Sequence, residues 1–298
     1  NIDAKMQVIL KYYERSGRNP ELKEDAFLLV ETVIQAHPND PKGYSVLGDF
    51  YLREQKPEEA REAFRMAVAN GGNQFPIWQQ VLLLDADLGD MESLERESAQ
   101  ALELYPAQPL VYLLNGFSLM ASEQYEAATD PLEQGLDYAV GNPALQAQFY
   151  SYLGDAYHQL ENDKKSDENY KNALAIDMNN APVLNNFSYY LSVRGENLEL
   201  AEKYSKKSNE LEPNNATYED TYAWVLYKLE KYADALVWIE KAIQNGGGES
   251  GEVREHYGDI LFKLGRIDDA VIQWEKAKEL GGASAFLEQK LLEQKTYE

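Results

Sequence analysis

The residues that most often perform catalysis or bind metals are few and scattered in this 298-residue chain. Cysteine is absent, so the chain has no disulfide framework and no thiolate site. The three histidines are His37, His158 and His256. We predict that His37 lies in a turn and that His158 and His256 lie at the surface or in a groove. They are far apart in the repeat described below, and we predict no metal site, no cofactor and no catalytic residue.

Carboxylates dominate the charge of the chain, with 51 Asp and Glu against 28 Lys and Arg and a net charge of −23. Among so many acids some pair always resembles a glycosidase dyad, and no sequence feature singles one out. The run GGGES at 246–250 lacks the preceding strand of a phosphate loop, so we interpret it as a flexible joint. The acidic charge disfavours nucleic acid and anionic membrane surfaces. No apolar run approaches the roughly 18 residues of a membrane-spanning helix.

Helical periodicity indicates which elements would position any remaining site. Residues 41–74 begin with apolar and small residues spaced i, i+3, i+4 and i+7, one face of a helix: Tyr44, Leu47, Gly48 and Tyr51. After a break at REQKP a second helical face follows: Ala60, Phe64 and Ala67. Pro57 suits the first turn of this second helix, and the glycines at 71 and 72 suit its end. The stretch is therefore predicted to be an antiparallel pair of closely packed helices.

The same pattern recurs along nearly the whole chain with a period of 34 to 38 residues. The predicted units are 41–74, 75–108, 109–146, 147–180, 181–215, 216–250 and 251–282. Residues 1–40 are a degenerate copy, which the end of a repeat array requires because its outer face meets water. Residues 283–298 are predicted to form a capping helix or the first helix of a truncated repeat. At the longest spacing, Asn142 is predicted to cap an extended helix that Pro143 begins.

The unit resembles the tetratricopeptide repeat. It shares with that family an aromatic residue at position 4, Leu at 7, Gly at 8, Tyr at 11, Ala at 20, Phe at 24, Ala at 27 and Pro near 32. The resemblance implies an all-α fold, a single right-handed α-solenoid or superhelix of antiparallel helix hairpins with about eight repeats. It also implies a non-enzymatic scaffold that binds peptides or proteins in a concave groove lined by the first helix of each pair.

Positions 2, 5, 9 and 12 of each first helix share a face turned away from the core, and by resemblance this face lines the groove. Two groups of candidate binding residues lie there. The aromatic patch consists of aromatic residues with acidic neighbours: Tyr189, Trp224, Tyr227 and Phe262 beside Asp220, Glu255 and Asp259. The aliphatic patch consists of Leu83, Leu113, Phe117 and Met120. The alternative is that both patches fill a tightly wound superhelix or meet an adjacent segment.

The groove face lacks the Lys, Arg and Asn residues of the family's carboxylate clamp, because Lys42 stands almost alone among acids and apolar residues. A chain-terminal carboxylate is therefore not the expected ligand. Aromatic side chains rimmed by carboxylates instead suit an apolar or aromatic peptide that carries Lys or Arg. The predicted partner is a protein or peptide of this kind.

The leading hypothesis for function is an adaptor that binds a peptide or protein segment in its groove. A second hypothesis is a self-associating structural subunit of an envelope-associated assembly, and a third is an enzyme of the helical-toroid type. The third is disfavoured because toroid hairpins do not need small residues at positions 8 and 20. The units are similar in style to bacterial extracytoplasmic members of the family. This favours a periplasmic or outer-membrane-associated location, with a signal or lipid anchor removed before residue 1.

Overall fold

The computed structural model describes residues 2–16, 22–281 and 284–297. Within these ranges the regular elements are 17 α-helices and one 3-10 turn, Gly247–Glu249, with no β-strand. The helices are α1 Ile2–Ser16, α2 Lys23–Ala36, α3 Pro41–Arg53, α4 Pro57–Ala69, α5 Phe75–Asp87, α6 Met91–Leu104, α7 Pro109–Ala121, α8 Tyr125–Tyr138 and α9 Pro143–Gln159. They continue with α10 Asp163–Ile176, α11 Ala181–Arg194, α12 Leu198–Leu211, α13 Ala216–Lys228, α14 Tyr232–Gln244, α15 Gly251–Lys263, α16 Ile267–Leu280 and α17 Leu287–Glu293.

Side-chain caps and prolines set where many of these helices begin. Asp40 accepts a hydrogen bond from the backbone N–H of Lys42, and Pro41 follows as the first residue of α3. Such a cap satisfies one of the backbone donors that a helix start leaves free. Asn142 likewise accepts from the backbone N–H of Leu145 at 3.2 Å, at the start of the 17-residue helix α9. The same local chemistry therefore repeats from one helix pair to the next.

Small residues let the two helices of a pair approach closely. A side-chain carbon added at Gly48 of α3 would lie 2.8 Å from the ring of Phe64 on α4. At Gly258 of α15, the same addition would lie 2.4 Å from the Trp274 indole on α16. Both distances are shorter than van der Waals contact, so these helix pairs pack at a spacing that only glycine permits.

The contacts divide the chain into two compact units, Asn1–Ala156 and Tyr157–Glu298. We call them unit 1 and unit 2. Unit 1 contains hydrophobic clusters built on buried residues of consecutive helices, among them Ile9, Val30 and Phe50 in the first cluster. Unit 2 contains a cluster of α13 to α15 that includes Tyr227, Ile239 and Ile260, and a second cluster in the last hairpin. Each unit therefore has its own core.

Asp85 of unit 1 departs from the repeat, because position 11 carries Tyr in residues 41–74. Asp85 is fully buried, and its Oδ1 lies 2.7 Å from Arg65 Nη2 and 3.3 Å from Arg61 Nη1. Burial, reinforced by the neighbouring carboxylate of Glu97, raises the pKa of Asp85 to about 7 against the effect of the two arginines. A buried ion cluster thus replaces an aromatic side chain in the repeat formed by residues 75–108.

The C-terminal helix α17 packs against the last hairpin, α15 and α16. Leu287 of α17 is 5% exposed and belongs to the same cluster as Leu261 and Trp274, with Leu291 partly buried beside them. The remaining face of α17 meets solvent, since Leu292 is 84% exposed. Residues 284–297, which we call the C-terminal segment, therefore cover part of the surface of α15.

Candidate functional site

Unit 2 contains a cavity of about 430 Å³ between three first helices and the C-terminal segment. The lining residues come from α11, α13 and α15 and from the C-terminal segment: Tyr189, Val193, Trp224, Lys228, Glu252, Glu255, His256, Asp259, Ser284, Phe286, Lys290 and Tyr297. Aromatic rings and carboxylates therefore surround one space on the inner faces of consecutive hairpins. We call this space the unit 2 cavity.

One side of the unit 2 cavity is formed by a tyrosine and an exposed carboxylate. The hydroxyl of Tyr189 donates a hydrogen bond of 2.7 Å to Glu252 Oε1. Burial and the adjacent Glu252 carboxylate raise the pKa of Tyr189, so its hydroxyl remains a donor. Within the described part of the chain, no Lys or Arg forms an ion pair with Glu252. Glu252 is exposed and therefore presents a negative charge to the cavity, where it also faces His256 on the floor.

The floor of the cavity is a stack of rings over a buried ion pair. Trp224 stacks on His256 with 4.1 Å between ring centroids, and on Tyr227 with 4.7 Å. Nδ1 of His256 donates to Asp220 Oδ1 at 2.9 Å, and both residues are buried. Burial alone lowers the pKa of His256, but the Asp220 carboxylate outweighs it and the pKa is raised. The floor therefore carries the charge pair of His256 and Asp220 beneath the Trp224 ring.

The opposite wall is an acidic pair that holds a lysine. Lys290 Nζ lies 2.7 Å from Glu255 Oε1 and 2.6 Å from Asp259 Oδ2, and Lys290 is only 3% exposed. Ser284 adds two hydrogen bonds to Glu255, from its backbone N–H at 2.6 Å and from its hydroxyl at 2.5 Å. The indole N–H of Trp274 donates to Asp259 Oδ1 at 3.0 Å. Two carboxylates of α15 thus hold the lysine ammonium group.

Burial and Lys290 act in opposite directions on the two acids of this wall. Burial raises the pKa of Asp259 to about 6, although Lys290 and His256 pull it down. Burial also acts to raise the pKa of Glu255, but the hydrogen bonds from Lys290 and Ser284 outweigh it, so the pKa is lowered. The pKa values of the two acids shift in opposite directions because the ionised form of Glu255 accepts more hydrogen bonds than that of Asp259.

The structure separates the aromatic patch into lining and supporting residues. Four of its members line the unit 2 cavity: Tyr189, Trp224, Glu255 and Asp259. The other three are packed behind them or beside them. Tyr227 is 2% exposed beneath Trp224, and Asp220 is paired with His256. Phe262 lies beside Trp274, with 5.9 Å between the rings.

The aliphatic patch lies in unit 1, on α5 and α7. Leu113 is 5% exposed, and Leu83 and Phe117 are partly buried members of the cluster formed by α5 to α7. Phe117 also stacks on Tyr152 of α9, with 5.7 Å between the rings. Met120 is half-buried on the last turn of α7. Packing within unit 1 thus accounts for much of this patch.

Sequence reasoning missed several residues of the site. His256, predicted at the surface or in a groove, does line the cavity, but its burial and its pairing with Asp220 were not foreseen. Lys290 and Ser284 were not singled out, because they lie 31 and 29 residues from the acids that they contact. The sequence feature that could have indicated a role for Lys290 is its position as a lone lysine on the apolar face of a short terminal helix, next to Leu287 and Leu291. Glu252 shares the groove face but was not distinguished from the other acids.

The described residues contain no group of three His, Cys, Asp or Glu side chains arranged to hold a metal ion. No helix among these residues has the length and apolar character needed to cross a bilayer. The features that characterise the site are therefore its cavity, its rings and its ion pairs.

The chain belongs to the tetratricopeptide-repeat family. One tetratricopeptide-repeat family model matches residues 107–278, more than half of the chain, and a second matches residues 24–74. Together with the helices described above, these matches confirm the resemblance and the all-α fold of helix hairpins expected from the repeat pattern. Proteins of this family are helical scaffolds that bind proteins or peptides.

Similar proteins share the repeat region with this chain. The TPR repeat-containing protein PA4667 of Pseudomonas aeruginosa is 26% identical over 197 residues, which are 65% of this chain and 32% of that protein. Protein O-mannosyl-transferase TMTC3 of Homo sapiens is 23% identical over 60% of this chain and 20% of that protein. A chain of the APC/C hetero-tetramer Cut9-Hcn1 superimposes with a TM-score of 0.68 at 11% identity, covering 91% of this chain and 52% of that one. The chain thus spans a fifth to a third of the length of the curated relatives that it matches.

Proposed function

We propose that this chain is a non-enzymatic interaction scaffold that binds a segment of a partner protein on the inner face of unit 2. In this proposal a Lys or Arg side chain of the partner enters the unit 2 cavity and pairs with Glu252. One observation carries the proposal: the same face already holds a lysine, Lys290, between Glu255 and Asp259. The groove therefore has the chemistry to bind a cationic side chain among apolar neighbours.

The shape and lining of the cavity support an amphipathic ligand. Tyr189, Val193 and Phe286 offer apolar surface for the aliphatic stem of a Lys or Arg, while Glu252 offers an acceptor for its head. A charge-assisted hydrogen bond in a partly desolvated site is stronger than one on an open surface. Apolar contact thus contributes affinity, and the carboxylate selects for positive charge.

The charge of the whole chain supports a basic partner as well. A net charge of −23 attracts cationic segments and speeds their encounter at low ionic strength. A hetero-tetramer, Cut9-Hcn1, is among the structures with a similar fold. The charge therefore favours a basic partner segment over an acidic one.

The test is binding of a panel of short synthetic peptides that differ only in one central residue: Lys, Arg, Gln or Glu in a constant apolar frame. We expect fluorescence anisotropy to show binding of the Lys and Arg peptides and weak or no binding of the Gln and Glu peptides. Replacing Glu252 with Lys should weaken binding of the Lys peptide at least about tenfold, which corresponds to about 1.4 kcal/mol.

The matched control is Glu275→Lys, which makes the same charge change at an exposed position of α16, outside the cavity lining. This variant should bind the Lys peptide like the original chain. Equal losses in the two variants would mean that only the net charge attracts the peptide. Absence of any preference for Lys and Arg would overturn the proposal.

A further inference from the structure

The C-terminal segment occupies the groove in the manner of a bound ligand. It places Leu287 and Leu291 on the apolar surface of the last hairpin and Lys290 between two acids of α15. Three features of a peptide ligand are thus present in one segment: a short helix, apolar anchors and a central cation. The pattern along the segment is Leu-x-x-Lys-Leu.

From this arrangement we propose that the partner is an amphipathic helix with the pattern Leu-x-x-Lys-Leu, and that it binds by replacing the C-terminal segment on α15. The C-terminal segment is then a resident competitor that limits binding until such a partner displaces it. This inference rests on the proposed function and specifies the class of partner. The segment supplies Ser284, Phe286, Lys290 and Tyr297 to the lining of the unit 2 cavity, so its release also widens the space beside Glu252.

The described contacts that hold the segment are the packing of Leu287 and Leu291, the ion pairs of Lys290 and Glu288, and two hydrogen bonds from Ser284. A helix of seven residues is not stable by itself in water, so α17 depends on its contacts with the groove. Its buried apolar contact is largely Leu287, because Phe286 is 47% exposed and Leu292 is 84% exposed. The ion pairs of Lys290 fix its position, but a buried ion pair contributes little net stability after desolvation. An incoming helix with the same pattern would restore the leucine packing and the ion pairs of the lysine with Glu255 and Asp259.

Tethering explains why the segment nevertheless occupies the site. The segment follows α16 directly, and Gly281, with φ +76°, ends that helix. A segment attached by so short a connection has an effective concentration in the millimolar range at its own site. A free peptide of equal intrinsic affinity must compete with that concentration. Weakening the resident contacts should therefore increase the affinity for a free peptide.

The probe is a synthetic fluorescent peptide with the sequence of residues 284–298, SAFLEQKLLEQKTYE. It is compared with a peptide that carries Glu at the place of Lys290. We expect weak binding of the first peptide to the original full-length chain, and binding at least tenfold tighter to the Lys290→Gln chain. The Glu-containing peptide should bind neither chain. The matched control is Lys295→Gln, an exposed lysine in the same segment, which should bind the probe like the original chain.

Hydrogen exchange of the full-length chain tests replacement directly. Adding the probe peptide should speed exchange of the backbone amides of α17, because the resident helix is released. Slower or unchanged exchange of α17 with bound probe would overturn the inference. So would equal affinity of the probe for the Lys290→Gln and original chains.

The two proposals fail in different ways. If the Lys and Arg peptides of the earlier panel bind in a Glu252-dependent manner while α17 stays protected, the groove function stands and replacement of the segment is wrong. If neither the panel nor the probe binds the original or the Lys290→Gln chain, both proposals are wrong. Circular dichroism of each variant establishes that the helical fold is retained.

Discussion

At the scale of single residues, the acids of unit 2 differ in role because they differ in burial and in partner. Glu255 and Asp259 are buried and hold Lys290, whereas Glu252 is exposed and accepts a hydrogen bond from the Tyr189 hydroxyl. Asp220 is buried and pairs with His256. Carboxylates of one groove therefore have three roles. Glu255 and Asp259 bind a buried lysine, Asp220 pairs with the histidine of the ring stack, and Glu252 is open to the cavity.

The titrating groups of the groove predict how stability depends on pH. The charges that face His256 are Asp220, Glu252 and Asp259, and together they raise its pKa above the unfolded value of 6.5. Its stabilising contribution is therefore complete below pH 6.5 and is lost as the pH rises through the folded-state pKa. Asp259 has a folded pKa of about 6 against 3.8, so stability also falls as the pH rises between those values.

We therefore expect the chain to have a higher melting temperature at about pH 6 than at about pH 8. Thermal denaturation followed by circular dichroism measures this difference. The His256→Gln chain should show a smaller difference between the two pH values, because the contribution of the protonated imidazole is removed while that of Asp85, whose pKa is raised to about 7, remains. An equal difference in both chains would contradict the prediction.

At the scale of secondary-structure elements, each helix pair depends on small residues at its contact surface. Ala270 of α16 is fully buried in the cluster that contains Leu261 and Trp274. Ile272, two residues later on the same helix, is 47% exposed. The two positions therefore provide a buried and an exposed site for the same substitution in the last hairpin.

We expect Ala270→Glu to lower the free energy of unfolding of the last hairpin by about 3 kcal/mol or more, because it forces a charge into an apolar contact. Hydrogen exchange of α16 amides and thermal denaturation measure the loss. Ile272→Glu is the control and should change stability by no more than about 0.5 kcal/mol. Similar effects of the two substitutions would show that the assignment of the buried face is wrong.

At the scale of the whole molecule, the excess of acids sets the response to salt. The chain has 51 acidic and 28 basic side chains, so exposed like charges repel one another in the folded state. Ion pairs such as that of Lys290 are buried, and salt screens buried pairs much less than exposed charges. Salt should therefore relieve the repulsion more than it weakens these pairs.

We expect the melting temperature to rise when the ionic strength increases from about 0.01 M to about 0.15 M. Differential scanning calorimetry in buffers that differ only in sodium chloride measures this shift. A falling melting temperature would instead mean that exposed ion pairs, rather than net repulsion, dominate the electrostatics of the fold.

Much of the fold followed from local patterns. The spacing of Tyr44, Leu47, Gly48 and Tyr51 places them on one helical face wherever that stretch folds, and repetition of the pattern implies stacked hairpins. The cap at Asn142 is also local, because the side chain bonds to a backbone group three residues away. Asp85 was not explained by the pattern, because its arginine partners come from another helix.

The amino-acid sequence by itself determined the helix pairs and the family. These features depend on interactions between residues a few positions apart, which repeat with a visible period. Only the tertiary structure decided that Trp224 and Asp259 line a cavity while Tyr227 lies behind it. It also decided that Lys290 pairs with Glu255, since that contact joins residues 35 positions apart, on different helices. Periodicity defines a face, but the depth of burial on that face depends on which distant segment packs against it.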